Sequence, residues 1–295
     1  MVKKWMVFIL VAALLLALPF HAMAERPQMD TQTYLNLGDS IAAGMSADPG
    51  ESYFDGYSMY LEGFGFEKVP GVPTVVDDGN IAIPGLTTQG LLTTLSNPMV
   101  QEMVKKADVV TVSIGGNNLL QPMIGSMMME YGLNPYEDSI EDLLTAIAYR
   151  GEDFWHEITE KHLNMLRYAE PELCPLWQGV DQFQTDWPRI ISVIHALNSD
   201  AHIIALSIYN PVSKMESPEF YQLMEELIRP MNQTMRRHQG RRVSVANVYN
   251  AFRSNEDAVN FSVTWFPNVD PHPTNIGHQL IVEELIKVRN PRAFR

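Results

Sequence analysis

An α/β protein with a single parallel sheet between two layers of helices is the fold this sequence predicts. Three observations lead there. Short runs rich in β-branched residues alternate along the chain with longer runs of helical spacing. The strand-like runs are too continuously apolar to leave a face in water, which is the pattern of strands covered on both sides. And no repeat, low-complexity tract or Gly/Ser linker divides the chain, so the alternation belongs to one large domain of the α/β/α sandwich type.

The first residues stand apart from that alternation. Lys3 and Lys4 precede an apolar run from Trp5 to Leu18, and Ala22-Met23-Ala24 follows it. A basic start, a short apolar core and a small-residue triplet are the layout of a cleaved secretory signal peptide, so residues 1–24 are expected to be removed and the protein to be secreted. The apolar core is shorter than the roughly 20 residues a bilayer span requires, and no second such run follows. Residues 25–31 read as a polar linker, and 32–295 as the folded domain.

Within that domain Tyr34-Leu35-Asn36-Leu37 predicts a first strand, Asp108 to Ile114 a second, His202 to Ile208 a third and Arg242 to Val248 a fourth. Apolar residues at intervals of three and four predict helices over Thr88–Leu95, Asp181–Leu197, Pro218–His238 and Asn275–Val288. Residues 119–179, rich in methionine (Met123, Met127, Met128, Met129, Met165), read as a helical insertion, either packed on the sheet or folded over the substrate site as an adaptable apolar lid. In such sheets ligands bind beyond the carboxyl ends of the strands. Three of the four predicted strands end in small or polar residues: Gly38-Asp39-Ser40, Gly115-Gly116-Asn117-Asn118 and Tyr209-Asn210-Pro211.

Composition narrows the function classes. A chain 46% hydrophobic and 19% charged is globular, and a net charge of −14 gives no broad positive field for nucleic acid. Cys174 is the only cysteine, so an exported chain here is stabilised by its core without an internal disulfide. His156 and His162 are six apart, not the four that a zinc-binding helix face needs, and no phosphate-cradling glycine loop is present.

Four short segments carry the chemistry. Gly38-Asp39-Ser40 follows a strand and precedes Ile41-Ala42-Ala43-Gly44, a small-residue run suited to begin a helix. Asn80-Ile81-Ala82-Ile83-Pro84-Gly85 comes next, then Gly115-Gly116-Asn117-Asn118, and finally Asp270-Pro271-His272-Pro273 before the last helix. A nucleophilic serine needs a base within reach and donors aimed at the oxyanion of its tetrahedral intermediate, and these loops can supply both.

In motif order and spacing the chain resembles the SGNH (GDSL-type) hydrolase superfamily over nearly the whole predicted domain. The resemblance implies a flavodoxin-like three-layer α/β/α sandwich that hydrolyses small-molecule or lipid esters with neither metal nor organic cofactor. It implies Ser40 as nucleophile and His272 as general base. The oxyanion donors would be the backbone N–H groups of Ser40 and Gly85 and the side-chain amide of Asn117. Asp39 and Asn80 are expected to support their loops, and His278 to be a surface or packing residue of the last helix.

Two positions depart from the family pattern. Asn118 stands where the family usually has aspartate. The family's acid usually lies three residues before the histidine, where this chain has Val269, while Asp270 is only two before. Pro271 biases Asp270 towards an extended conformation, from which its carboxylate is expected to orient His272, a backbone carbonyl being the alternative. The expected function is therefore carboxylic ester hydrolysis through an acyl-enzyme. The alternatives are removal of O-acetyl groups from cell-wall or extracellular polysaccharide and, in another class, a non-hydrolytic binding protein of the same fold.

Overall fold

The computed structural model describes residues 31–71, 77–150, 153–168, 170, 173–261 and 270–288. The predicted signal peptide 1–24, nearly all of the linker 25–31 and Val269 lie outside the described residues. Residues Gln32–Arg295 form one compact unit, to which everything below refers.

Its strands are β1 (Gln32–Gly38), β2 (Phe66–Lys68), β3 (Asn80–Ala82), β4 (Val109–Ser113), β5 (His202–Leu206) and β6 (Val243–Ala246). All pair in parallel, in the order β2-β1-β4-β5-β6, with β3 following β2 along the same edge of β1. The helices are α1 (Tyr53–Glu62), α2 (Thr88–Leu95), α3 (Pro98–Lys106), α4 (Gly116–Glu130), α5 (Ile140–Arg150), α6 (Asp153–Tyr168), α7 (Pro175–Leu197), α8 (Pro218–Arg237), α9 (Val248–Arg253) and α10 (Asn275–Val288). This is the doubly wound α/β fold that the alternation predicts.

Period-two alternation explains the two cores. Leu35 and Leu37, Val110 and Val112, and Ile203 and Ala205 join one apolar cluster under α2, α3, α7 and α8. Tyr34, Val109, Ile204 and Leu206 join the other, beneath α1 and α10. Each large apolar side chain so buried contributes about 1.5–3 kcal/mol, enough for the sheet to carry two polar residues in its middle if they are satisfied. Asn36 and Thr111, in register on β1 and β4, are those residues, and Thr111 Oγ1 donates to Asn36 Oδ1 (2.7 Å).

Helices α2 and α10 run over the predicted residues, and α8 ends one residue early. Helix α7 begins at Pro175, six residues before its predicted start, because proline at the first position loses no helical hydrogen bond. Strands β4, β5 and β6 are each trimmed at their ends relative to the predicted runs. The predicted helix at Ile41–Gly44 is instead a series of turns, in which Ala43 N–H reaches the Asp39 carbonyl (3.0 Å) and Met45 N–H that of Ser40 (3.0 Å). Gly44 at φ 77° and Ser46 at φ 66° turn the chain left-handed before a helix can propagate. Within 119–179 the described residues are mostly helical, and Met123, Met127 and Met128 are buried in the core of the sandwich. Among the described residues no helix is long and apolar enough to cross a membrane.

Candidate active site

The carboxyl ends of β1, β4, β5 and β6 open onto one cavity of about 110 Å³. Asp39 and Ser40 line it from β1, Ser113, Gly116 and Asn117 from β4, and Ser207 and Tyr209 from β5. His272 reaches it from the loop before α10. Three of the four motif segments thus converge on one pocket, although 232 residue positions separate Ser40 from His272.

Close backbone approach makes the first corner. A Cβ on Gly38 would lie 2.1 Å from the Ser113 carbonyl oxygen, so only glycine lets β1 and β4 run together to their ends. Asp39 N–H then donates to that carbonyl (3.1 Å). Asp39 Oδ1 accepts from Ile41 N–H (3.1 Å) and from Ser113 Oγ (3.4 Å), so the side chain braces the turn that presents Ser40. Asn36 braces it from below: its Nδ2 donates to the Ala42 carbonyl (3.0 Å) and to Asn80 Oδ1 (2.9 Å), while Tyr53 OH donates to its Oδ1 (2.8 Å). Asn80 therefore ties β3, the strand that runs into the loop of Gly85, to the Ser40 loop.

At the β4 corner, Gly115 takes φ 116°, and a Cβ there would meet the Phe183 ring at 2.6 Å. The turn delivers Asn117 to the cavity wall at the start of α4. One N–H of the Asn117 amide donates to the Leu86 carbonyl (3.1 Å), leaving its second hydrogen for a ligand. Gly85 is not among the residues lining the cavity; it sits at φ 81° one position before Leu86, and its carbonyl accepts from Gln121 Nε2 (2.7 Å). Among the described residues neither the Ser40 nor the Gly85 N–H donates to a protein acceptor, the condition an oxyanion donor has to meet.

Asn118, the departure from aspartate, has a local explanation. Its Oδ1 accepts from Thr88 N–H (3.0 Å) and its Nδ2 donates to Thr88 Oγ1 (2.9 Å), whose own hydrogen goes to the buried Asp186 (3.0 Å). With Thr88 already donating to a carboxylate, its partner at 118 must itself be a donor, and an ionised aspartate has no hydrogen to give.

The irregular spacing at Asp270 is resolved by an Asx turn. Asp270 Oδ1 accepts from the His272 backbone N–H (3.1 Å) and is also paired with His272 Nδ1, so a two-residue spacing brings carboxylate and imidazole together. Asp270 Oδ2 accepts from Ser46 Oγ (2.6 Å) and Asn260 Nδ2 (3.3 Å). Partial burial raises the Asp270 pKa, but the bonds from Ser46 and from the His272 backbone and ring outweigh it, and the net shift is downward. Tyr209 OH holds the turn from below through the Pro271 carbonyl (2.7 Å).

His278 is buried, not at the surface. Tyr53 N–H donates to its Nδ1 (3.2 Å), so Nε2 carries the proton and donates to the Met45 carbonyl (3.2 Å). Burial lowers its pKa, which keeps this link between α10, α1 and the Ser40 loop neutral. Asn36, Ser46, Asn260 and His278 were not legible as site residues. Only Asn36 left a signal, as a polar residue inside an apolar strand.

A family model for GDSL-like lipases and acylhydrolases matches residues 37–280, from the end of β1 into α10. The chain belongs to this GDSL-like lipase/acylhydrolase family. Its fold is similar to that of the lipase Lip_vut3 from a goat rumen metagenome, with a TM-score of 0.58 at 20% identity, over 90% of this chain and 97% of that one. It is also similar to a catalytic mutant of Axe2, an acetylxylan esterase from Geobacillus stearothermophilus, with a TM-score of 0.51 at 14% identity, over 87% and 93%. The spore germination lipase LipC of Bacillus licheniformis is 35% identical over 96 residues, which span 32% of this chain and only 41% of that relative.

The buried Asp39 gives this GDSL-like chain a measurable pH signature. Burial pushes its carboxyl up to about 7, against the opposing hydrogen bonds from Ile41, its own N–H, Ser113 and Ala42. Between its ordinary value near 3.8 and about 7 the native state holds a proton the unfolded chain has lost. Stability from this group therefore falls as pH rises through that window and levels off above it, by on the order of 4 kcal/mol at most. Urea unfolding at pH 5 and pH 8 is expected to show a larger loss for the wild type than for Asp39→Asn. An equal loss in both proteins would show that Asp39 ionises normally.

Proposed function

We propose that the chain is a carboxylic ester hydrolase that acts through an acyl-enzyme on short acyl esters. One observation carries this reading: Ser40, Asn117 and a carboxylate-paired His272 line the same cavity. In this reading Ser40 Oγ bonds to the ester carbonyl carbon as His272 Nε2 takes its proton. The resulting oxyanion is held by the N–H groups of Ser40 and Gly85 and by the Asn117 amide. The carbon–oxygen bond to the alcohol then breaks, and the imidazolium returns the proton to the departing alkoxide. Water repeats the two steps on the acyl-enzyme and frees the acid. Asp270 fixes the His272 tautomer and stabilises the imidazolium.

The acyl half belongs against the apolar wall, where Ile114, Leu119, Met123, Phe220 and Met224 meet. An engineered apolar cavity of roughly 150 Å³ binds benzene, so about 110 Å³ suits a chain of a few carbons. Each buried methylene is worth about 0.8 kcal/mol, or close to fourfold in kcat/KM. A series of nitrophenyl esters is expected to climb from acetate to about hexanoate and then flatten. Acetate as the best substrate would favour instead the polysaccharide O-acetyl reading, the activity named for the Axe2 relative. Ser40 is also expected to be the site of fluorophosphonate labelling, whereas an unlabelled, folded protein would favour a binding role. Residues 1–24 fit an export signal in this reading, placing the enzyme outside the cytoplasm, and 119–179 is a helical insertion that supplies part of the acyl wall.

A further inference from the structure

Behind the Ser40 cavity lies a second one, of about 270 Å³, between the β5 loop, α8 and α9. Pro211, Val212 and Phe261 line both, so the two cavities adjoin at these three residues. Their chemistry differs. Where the first is walled by aliphatic and methionine side chains, the second presents Glu225, Tyr221, Tyr249, Asn210, Lys214 and Arg253.

These groups are held in place. Glu225 is only 7% exposed; it accepts from Asn210 Nδ2 (3.0 Å) and, through a short bond, from the Tyr249 hydroxyl. Asn210 is fixed in turn by donating to the Tyr221 carbonyl (3.0 Å) and accepting from Val212 N–H (3.1 Å). The cavity also lies on the histidine side of the pocket. Val259 bridges Pro273, Asn260 N–H donates to the His272 carbonyl (3.1 Å), and Val259 and Phe261 on either side of Asn260 both line the second cavity.

We infer that the second cavity is the subsite for the alcohol half of the substrate and that it takes a neutral polyhydroxylated alcohol, a glycerol or sugar unit. The inference rests on the esterase reading above, in which the departing alkoxide takes its proton from His272 and so has to lie beside that loop. With the acyl half in the apolar cavity, the alcohol extends past Pro211, Val212 and Phe261. The chemistry of the lining argues for a polyol. Glu225 and Glu256 share the lining with Lys214 and Arg253, so neither charge dominates and no anionic or cationic headgroup is selected. Hydroxyls, which donate and accept alike, match such mixed partners, and the Tyr249 ring offers aromatic area to the C–H face of a polyol.

Ethyl butyrate and glycerol monobutyrate share an acyl half and differ only in the alcohol. The wild type is expected to favour the glycerol ester by about tenfold in kcat/KM, the value of one or two hydrogen bonds. Tyr249→Phe keeps the ring and removes the donor to Glu225. It should raise KM for the glycerol ester about fivefold and leave ethyl butyrate unchanged. Asn255→Trp, filling the cavity from its exposed rim, should give the same selective loss. A wild-type ratio near one, or variants that slow both esters alike, overturns the subsite alone. Preference for a butyrate ester bearing a phosphate or quaternary ammonium headgroup overturns the polyol assignment. Hydrolysis of neither ester by the folded wild type overturns the esterase reading and the subsite with it.

Discussion

Ser40→Ala is expected to lower kcat on a short-chain nitrophenyl ester by about 10⁵-fold, with the fold intact. The size follows from what is removed. Without the hydroxyl there is no atom to form the acyl-enzyme, and His272, Asp270 and the oxyanion donors are left supporting only direct attack by water. In serine hydrolases these remnants retain a residual acceleration of roughly 10³–10⁴ over water, while the nucleophile itself accounts for about 10⁵–10⁶ in kcat. The structural cost is small, because only an oxygen is lost and the braces of the loop run through Asp39 and through the Ala42 carbonyl. Unfolding midpoint and circular dichroism should match the wild type. Activity retained within tenfold in a folded variant would remove Ser40 from the mechanism, whatever its place in the cavity.

Much of the fold was legible because burial on both faces writes itself into composition. The runs at β4 and β5 are buried at every position and mostly apolar, and α2 and α10 carry their buried residues at helical spacing. Elements that depend on capping were missed. Helix α1 contains a glycine and three tyrosines that blur its apolar stripe, and its signal was Ser52 followed three residues later by Asp55, whose N–H the serine accepts (3.2 Å). Strands β2 and β3 have three residues each, too few for a period to show.

The residues that hold the site in place were illegible for a different reason. Ser46 and Asp270 meet across 224 positions, and Met45 and His278 across 233. A lone serine after a glycine turn has no sequence feature that names a partner so far away. Ser40, Asn117 and His272 were found because each adjoins an element whose type was already clear, whereas Gly85, after the unrecognised β3, was reached only through the family resemblance.

Asp270→Asn is expected to reduce kcat by about 10³–10⁴-fold with little change in KM. The amide can still accept the His272 N–H and keep the turn, so the ring stays placed while the charge that stabilises the imidazolium is gone. Should the amide nitrogen face Nδ1, it would also impose the wrong tautomer. Ser46→Ala tests the same carboxylate more gently. Ser46 helps to depress the Asp270 pKa, so its loss lets that carboxyl take a proton at higher pH. A protonated Asp270 cannot stabilise an imidazolium, so the acid limb of the kcat profile should move to higher pH while the rate at pH 8 falls by only about threefold. A backbone carbonyl orienting His272 makes the opposite forecast: Asp270→Asn would keep most of its activity, and Ser46→Ala would leave the acid limb where it was. Asp270 would then be a turn residue, and the catalytic group a Ser40–His272 dyad.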